Sequence, residues 1–177
     1  GVSRLPAPDD ETVGLEPGSW LAVDDTMQVQ GVEGSWLYAA GDVNRRALLT
    51  HQGKYQGRVC GDVIAARAAG AGPDPASWSR FAATADHAGV PAVVFTTPEV
   101  AAVGHTEASA RRAGLDVRAV DHPLGQVAGA SLFADHYEGR ARMVVDEARR
   151  TVVGATFVGA GVAEVLHSAT VAVSGEV

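Results

Sequence analysis

Apolar residues change their spacing several times along this chain, and each change marks a structural element. The run Trp36-Leu37-Tyr38-Ala39-Ala40 is apolar throughout and stops at Gly41-Asp42, the pattern of a buried strand ending at a turn. Over residues 53–69, Val59, Cys60, Val63 and Ile64 recur at helical spacing, with Gly53, Gly57 and Gly61 on one stripe. Glycines so placed are expected to let the helix approach a sheet or a ligand closely. Gly70-Ala71-Gly72-Pro73-Asp74-Pro75 ends that helix, and the Ala-rich stretch to His87 reads as a linker. Residues 1–35 are rich in Pro, Asp and Gly, which predicts irregular connections with brief extended pieces such as Trp20-Leu21-Ala22-Val23.

A second unit is expected beyond a boundary between residues 75 and 91, dividing the chain into 1–86 and 87–177. In it Ala92–Thr96 reads as a strand and Thr106–Ala113 as a helix capped by Thr106 and ended at Gly114. Val117–Val120 reads as another strand, and Ala141–Asp146 with Val152–Val158 as a hairpin turning through Glu147-Ala148-Arg149-Arg150. Val162, Val165, Leu166, Ala169, Ala172 and Val173 fall at helical spacing, so a helix is expected over this sheet. The predicted order is βαβββα. A chain that opens among connections and stops just past an apolar helical face is expected to be a portion of a larger protein.

Composition narrows the function classes. The 177 residues are 46% hydrophobic and 20% charged, as in an ordinary globular protein. A net charge of -7, with Lys and Arg dispersed apart from three adjacent Arg pairs, argues against a nucleic-acid partner. The longest uncharged apolar candidate, Thr151–Ala163, is interrupted by Gly154, Gly159 and Gly161, so no membrane-spanning segment is expected. A single cysteine, Cys60, precludes an internal disulfide framework, and no charged-then-apolar leader is visible. Both features lead to the expectation of a cytoplasmic protein.

Asp42 alone has a local explanation, since Gly-Asp at a strand end commonly begins a turn. It is accompanied by an Arg-x-Pro loop at Arg4–Pro6, the Leu48-Leu49-Thr50-His51 turn and the glycine-spaced helix. That succession resembles the second flavin-contacting motif of the pyridine nucleotide-disulfide oxidoreductases, the family of dihydrolipoamide dehydrogenase, glutathione reductase and mercuric reductase. Pro91-Ala92-Val93-Val94-Phe95-Thr96-Thr97-Pro98-Glu99-Val100-Ala101-Ala102-Val103-Gly104-His105-Thr106-Glu107 resembles the opening of that family's dimerisation domain.

The resemblance implies mixed α/β and α+β architecture: the carboxyl-terminal part of a Rossmann-like FAD-binding domain, then a dimerisation domain incomplete at its end. It further implies that Gly41, Asp42, Leu48, Leu49, Thr50 and His51 bind FAD. Asp42 would accept a hydrogen bond from a ribityl hydroxyl, which suits an ionised acid beside a glycine. The turn 48–51 would present backbone N–H groups at a helix start toward the pyrimidine edge of the flavin, where helix N-termini favour negative charge. His51 is assigned to cofactor binding and not to proton transfer.

Other candidate residues carry less. His122-Pro123 imitates the family's catalytic His-Pro, but the glutamate expected five residues after the His is Val127, and the dipeptide precedes the hairpin. Cys60 lacks the partner of a Cys-x4-Cys pair and reads as core packing. His87, His105, His136 and His167 do not cluster at metal-ligand spacing, so no metal site is expected. Gly159-Ala160-Gly161 lacks the third glycine of a dinucleotide cradle and reads as the turn into the last helix. No residue of the chain is assigned a catalytic role. The family's amino-terminal Gly-x-Gly-x-x-Gly, cysteine pair, nicotinamide domain and terminal His-Glu pair have no counterpart here, and the stretch Thr26–Tyr38 is longer than the usual connection.

The expected whole protein is a homodimer joined through residues 91–177. It would pass electrons between NAD(P)H, FAD and a cysteine pair to a disulfide or metal-ion substrate, while the chain by itself would be inactive. Two other readings stand beside this one: a flavin-dependent NAD(P)H oxidase or reductase without the disulfide, and a non-enzymatic dimerisation module.

Overall fold

A computed structural model describes residues 18–177, so the Arg4–Pro6 loop lies outside the described residues. The chain divides into two compact units after His87.

The first unit begins with short extended pieces. Val23 bridges Val29 and Gln28 bridges Tyr38, both antiparallel. Asp24 sets the first reversal, since its Oδ1 accepts from the Thr26 N–H, the Thr26 hydroxyl and the Gln28 N–H. The strand expected over 36–40 reduces to the single bridge at Tyr38. Its backbone is held at two further points, Val29 N donating to Leu37 O and Ala39 N to Met27 O, each at 2.9 Å. Met27, at φ 67°, turns the opposite chain out of an extended path, so no ladder continues. Leu21, Val29, Val32 and Ala39 form a buried cluster around these pieces.

Helix α1 (Thr50–Ala68) buries Gln52, Gln56, Val59 and Val63, one stripe at three- and four-residue spacing. Val59 and Val63 pack with Met27 and Ala83. Of the glycine stripe, only Gly53 is in close approach: a Cβ there would lie 3.4 Å from Gly41 Cα, whereas Gly57 and Gly61 face open space. The expected linker is also corrected. Ala82 and Ala83 are buried, Tyr55 donates to Ala82 O at 3.1 Å, and Ala83 N donates to Asp25 O at 2.8 Å. A short helix α2 (Ala85–Ala88) follows. Alanine packs closely on a helix as readily as it fills a loop, so composition could not separate the two.

The second unit is built on a five-stranded sheet in the order β1-β2-β5-β4-β3, with every pairing antiparallel. The strands are β1 (Ala92–Val94), β2 (Glu99–Gly104), β3 (Val117–Pro123), β4 (Gly139–Asp146) and β5 (Thr151–Gly159). Helix α3 (Glu107–Arg112) follows β2, α4 (Ala130–Phe133) follows β3, and α5 (Leu166–Ser174) comes last. The expected order lacked β2, so βαβββα becomes ββαβββα when the four-residue α4 is left aside. The first strand is also shorter than expected. Thr106 caps α3 as predicted, its side chain accepting from Ser109 N. Gly161, at φ 72°, starts the turn that leads into α5.

Two cores hold this sheet. Ala101, Val103, Ala155 and Phe157 pack under Val162, Leu166, Ala169 and Val173, so α5 covers the β2–β5 face. Ala110 of α3 packs with Val117 and Val144, which by strand alternation lie on the opposite face.

Candidate cofactor site

Gly41 adopts φ 86° and ψ -158°, a conformation open to glycine because it has no Cβ. The chain then enters a 3-10 turn, Asp42–Asn44, in which Asn44 N donates to Gly41 O at 3.1 Å and Arg45 N to Asp42 O at 3.1 Å. This turn presents the Asp42 side chain to solvent and buries Asn44. The close approach of Gly41 and Gly53 sets the turn against the start of α1.

Leu49 leads into α1 in an extended conformation, φ -137° and ψ 133°, and offers no side-chain cap. The N–H groups of the opening turn of a helix have no acceptor within that helix, and a cap is the usual remedy. Leu48, Thr50 and His51 are exposed and Leu49 is half-buried. The structure thus brings the turn at 41–42 against the helix start that carries 48–51, while leaving most of their side chains accessible.

Beneath this surface lies a buried polar network that the sequence reading did not include. Gln56 Oε1 accepts from Gly41 N–H at 2.7 Å and from Asn44 Nδ2 at 2.9 Å. Its Nε2 donates to Asp86 Oδ2 at 2.9 Å, and Gln52 Nε2 donates to Asp86 Oδ1 at 2.9 Å. Arg46 Nε lies 3.0 Å from Asp86 Oδ2, a charge contact in which the N–H does not point at the oxygen. Arg46 also donates to Asp24 O at 2.9 Å and to Asp25 Oδ1 at 2.5 Å. A signal for this network was present: Gln52 and Gln56 share the helix stripe of Val59 and Val63, and polar residues at core positions need partners.

Asp25 also faces His87 Nε2 at 2.7 Å. Burial pulls the Asp25 carboxyl upward, but the hydrogen bonds and charges of Arg46 and His87 outweigh it and hold the group below its ordinary value of 3.8. Stability from such a group is complete above the unfolded-state value and is lost as pH falls through the lower folded-state value. Between pH ~4.5 and ~2.5 the melting temperature should therefore fall more steeply for the native chain than for Asp25→Asn. The difference will be small, because the Asp25 side chain is 43% exposed and solvent screens the pair. Equal slopes in a thermal-melt series would contradict this account.

The remaining candidates fall elsewhere. Cys60 is half-buried on α1, and burial pushes its thiol up, which disfavours the reactive thiolate. His122 lies exposed on β3, paired in register with Ala141. His136 and His167 are exposed, and His105 meets Ser109 Oγ at 3.2 Å. Among the described residues no group of His, Cys, Asp and Glu could hold a metal ion, and no helix is long and apolar enough to cross a membrane.

Residues 90–177 match the family described as pyridine nucleotide-disulphide oxidoreductase, dimerisation domain. The chain belongs to the pyridine nucleotide-disulfide oxidoreductases. Dihydrolipoyl dehydrogenase from Bacillus subtilis (strain 168) is 31% identical over 177 residues, spanning 98% of this chain and 34% of the relative. Dihydrolipoyl dehydrogenase from Haloferax volcanii is 33% identical over 171 residues, spanning 93% of this chain and 32% of the relative. The fold is that of the HOCl-induced flavoprotein disulfide reductase RclA from Escherichia coli, with a TM-score of 0.69 at 22% identity, covering 95% of this chain and 35% of that one. The chain therefore spans about a third of the length of the relatives it matches.

Proposed function

We propose that this chain supplies part of the FAD site and the subunit contact of an FAD-dependent NAD(P)H disulfide oxidoreductase. The observation that carries the reading is the Gly41–Asp42 turn set against the start of α1, where Leu49 contributes no side-chain cap, in a chain of this family. The donor set fits FAD. An exposed carboxylate can accept from a ribityl hydroxyl, a glycine leaves room for close approach, and a helix start offers N–H groups to an electron-rich ring edge. Asp42 would hold the ribityl chain. Gly41 would admit it, and Leu48, Leu49, Thr50 and His51 would line the ring, with the backbone of the helix start favouring charge gained there. When bound, FAD would supply the hydride and electron transfer.

The whole protein would act as a homodimer joined through residues 91–177. It would carry electrons between NAD(P)H and a disulfide or metal-ion substrate by way of a cysteine pair outside this chain. A cytoplasmic location belongs to the same reading. Replacing Asp42 by Ala removes a charged hydrogen bond worth ~1.5 to 3 kcal/mol, so the FAD dissociation constant of the whole protein should rise by about ten- to a hundredfold. Unchanged flavin content after dialysis would overturn the assignment. An anaerobic titration with NADH and NADPH tests the wider reading: bleaching of a flavin band supports it, and a protein without a flavin band defeats it.

A further inference from the structure

We propose that Asp86 is a positioning residue for the Gly41–Asp42 turn, acting through the side-chain amide of Gln56. Its functional consequence rests on the FAD reading above; its structural basis is the network alone.

An ionised carboxylate only accepts hydrogen bonds. Asp86, with a side chain 1% exposed, takes Gln52 Nε2 on one oxygen and Gln56 Nε2 on the other, both at 2.9 Å. Both amides must therefore turn their NH2 groups toward Asp86. For Gln56 this leaves a single direction for Oε1, away from Asp86 and onto Gly41 N–H and Asn44 Nδ2. Asn44 is then oriented in turn: its Nδ2 also donates to Ala39 O at 3.1 Å, and its Oδ1 accepts from Arg46 N–H at 3.0 Å. Each bond fixes the donor–acceptor sense of the next, from the carboxylate to both ends of the turn that carries Asp42. Gly41 is the sensitive point, because its φ of 86° is held from the buried side by the bond to Gln56. A neutral amide at position 86 would offer a donor as well as an acceptor, and this sense would no longer be imposed.

The test is a reciprocal swap in the whole FAD-loaded protein. Gln56→Glu alone faces two carboxylates across a 2.9 Å contact, and Asp86→Asn alone removes the acceptor-only group. Each is expected to raise the FAD dissociation constant by about tenfold or more, as loss of a buried charge-assisted bond would. In the double variant the introduced amide donates to the introduced carboxylate, whose other oxygen still accepts from Gly41 and Asn44. Binding should recover clearly beyond the sum of the two single losses, the sign of direct coupling between neighbours, but not to the native value, because Arg46 Nε, 3.0 Å from the Oδ2 position, then faces an amide. Additive losses, or unchanged binding in Asp86→Asn, overturn the proposal. If a single variant does not fold, recovery of folding in the double supports the coupling and its absence overturns it.

A second readout needs no flavin. In proton–nitrogen spectra of the full chain, the Gly41 amide resonance should move in each single variant and return in the double. That result in a protein that binds no FAD would sustain the positioning role and defeat the flavin reading. A Gly41 resonance indifferent to Asp86→Asn would defeat the positioning role whatever the flavin does.

Discussion

Gly154→Ala is expected to prevent the second unit from folding, or to destabilise it by about 4 kcal/mol or more, at the upper end for a single substitution. Gly154 sits on β5 between Gly104 of β2 and Val144 of β4. Between Val144 and Val145 the register shifts, which leaves Val153 as an extra residue on β5. At that bulge the chain leaving β2 crosses closely: His105 N donates to Val153 O at 2.8 Å. A Cβ on Gly154 would lie 1.8 Å from His105 O and 2.7 Å from its carbonyl carbon. The obstacle is backbone held by sheet bonds, so no side-chain rearrangement relieves it. The crossing also needs Gly104, which has φ 72° and whose own Cβ would meet Val153 O at 2.4 Å. Urea unfolding of the full chain, followed by circular dichroism, measures the effect. A loss below about 1 kcal/mol would show that the strands can separate at this point without cost.

Arg46→Met should be the most damaging change in the first unit, at roughly 3 to 5 kcal/mol. Arg46 is 12% exposed and Asp86 1% exposed, and the guanidinium is the cation beside that buried carboxylate. Methionine keeps most of the apolar stem and removes the charge, so the loss reports an unpaired buried anion more than lost packing. The Asp25 contact contributes less, since that side chain is 43% exposed. Chemical denaturation of Arg46→Met beside Asp25→Asn separates the two contacts. Equal losses would mean that the exposed pair dominates and that Asp86 tolerates isolation.

The family was legible because its motifs are local. The turn at Gly41-Asp42, the run from Pro91 to Glu107 and the helix start at Thr50 each depend on residues close together in sequence. Helix α3, with Thr106 as its cap, and the β4–β5 hairpin were legible for the same reason: cap and hairpin signals operate over a few residues. Strand β2 was not legible. Glu-Val-Ala-Ala-Val-Gly has no alternation of polar and apolar residues, and its centre is covered by β5 and α5 from distant parts of the chain.

The same division runs through the candidate site. Sequence alone determined which residues stand at the turn and at the helix start, because glycine conformations and helix ends are set by local chemistry. Only the tertiary structure decided what supports them. Gln56 and Asp86 are 30 residues apart and meet because α1 and the Ala-rich segment pack together, while Arg46 and Asp25 are 21 apart and meet because the chain after the 42–44 turn lies against the reversal at Asp24. Burial then turns ordinary polar side chains into partners that must satisfy one another, since a buried donor or charge without a partner costs more than its hydrogen bond contributes.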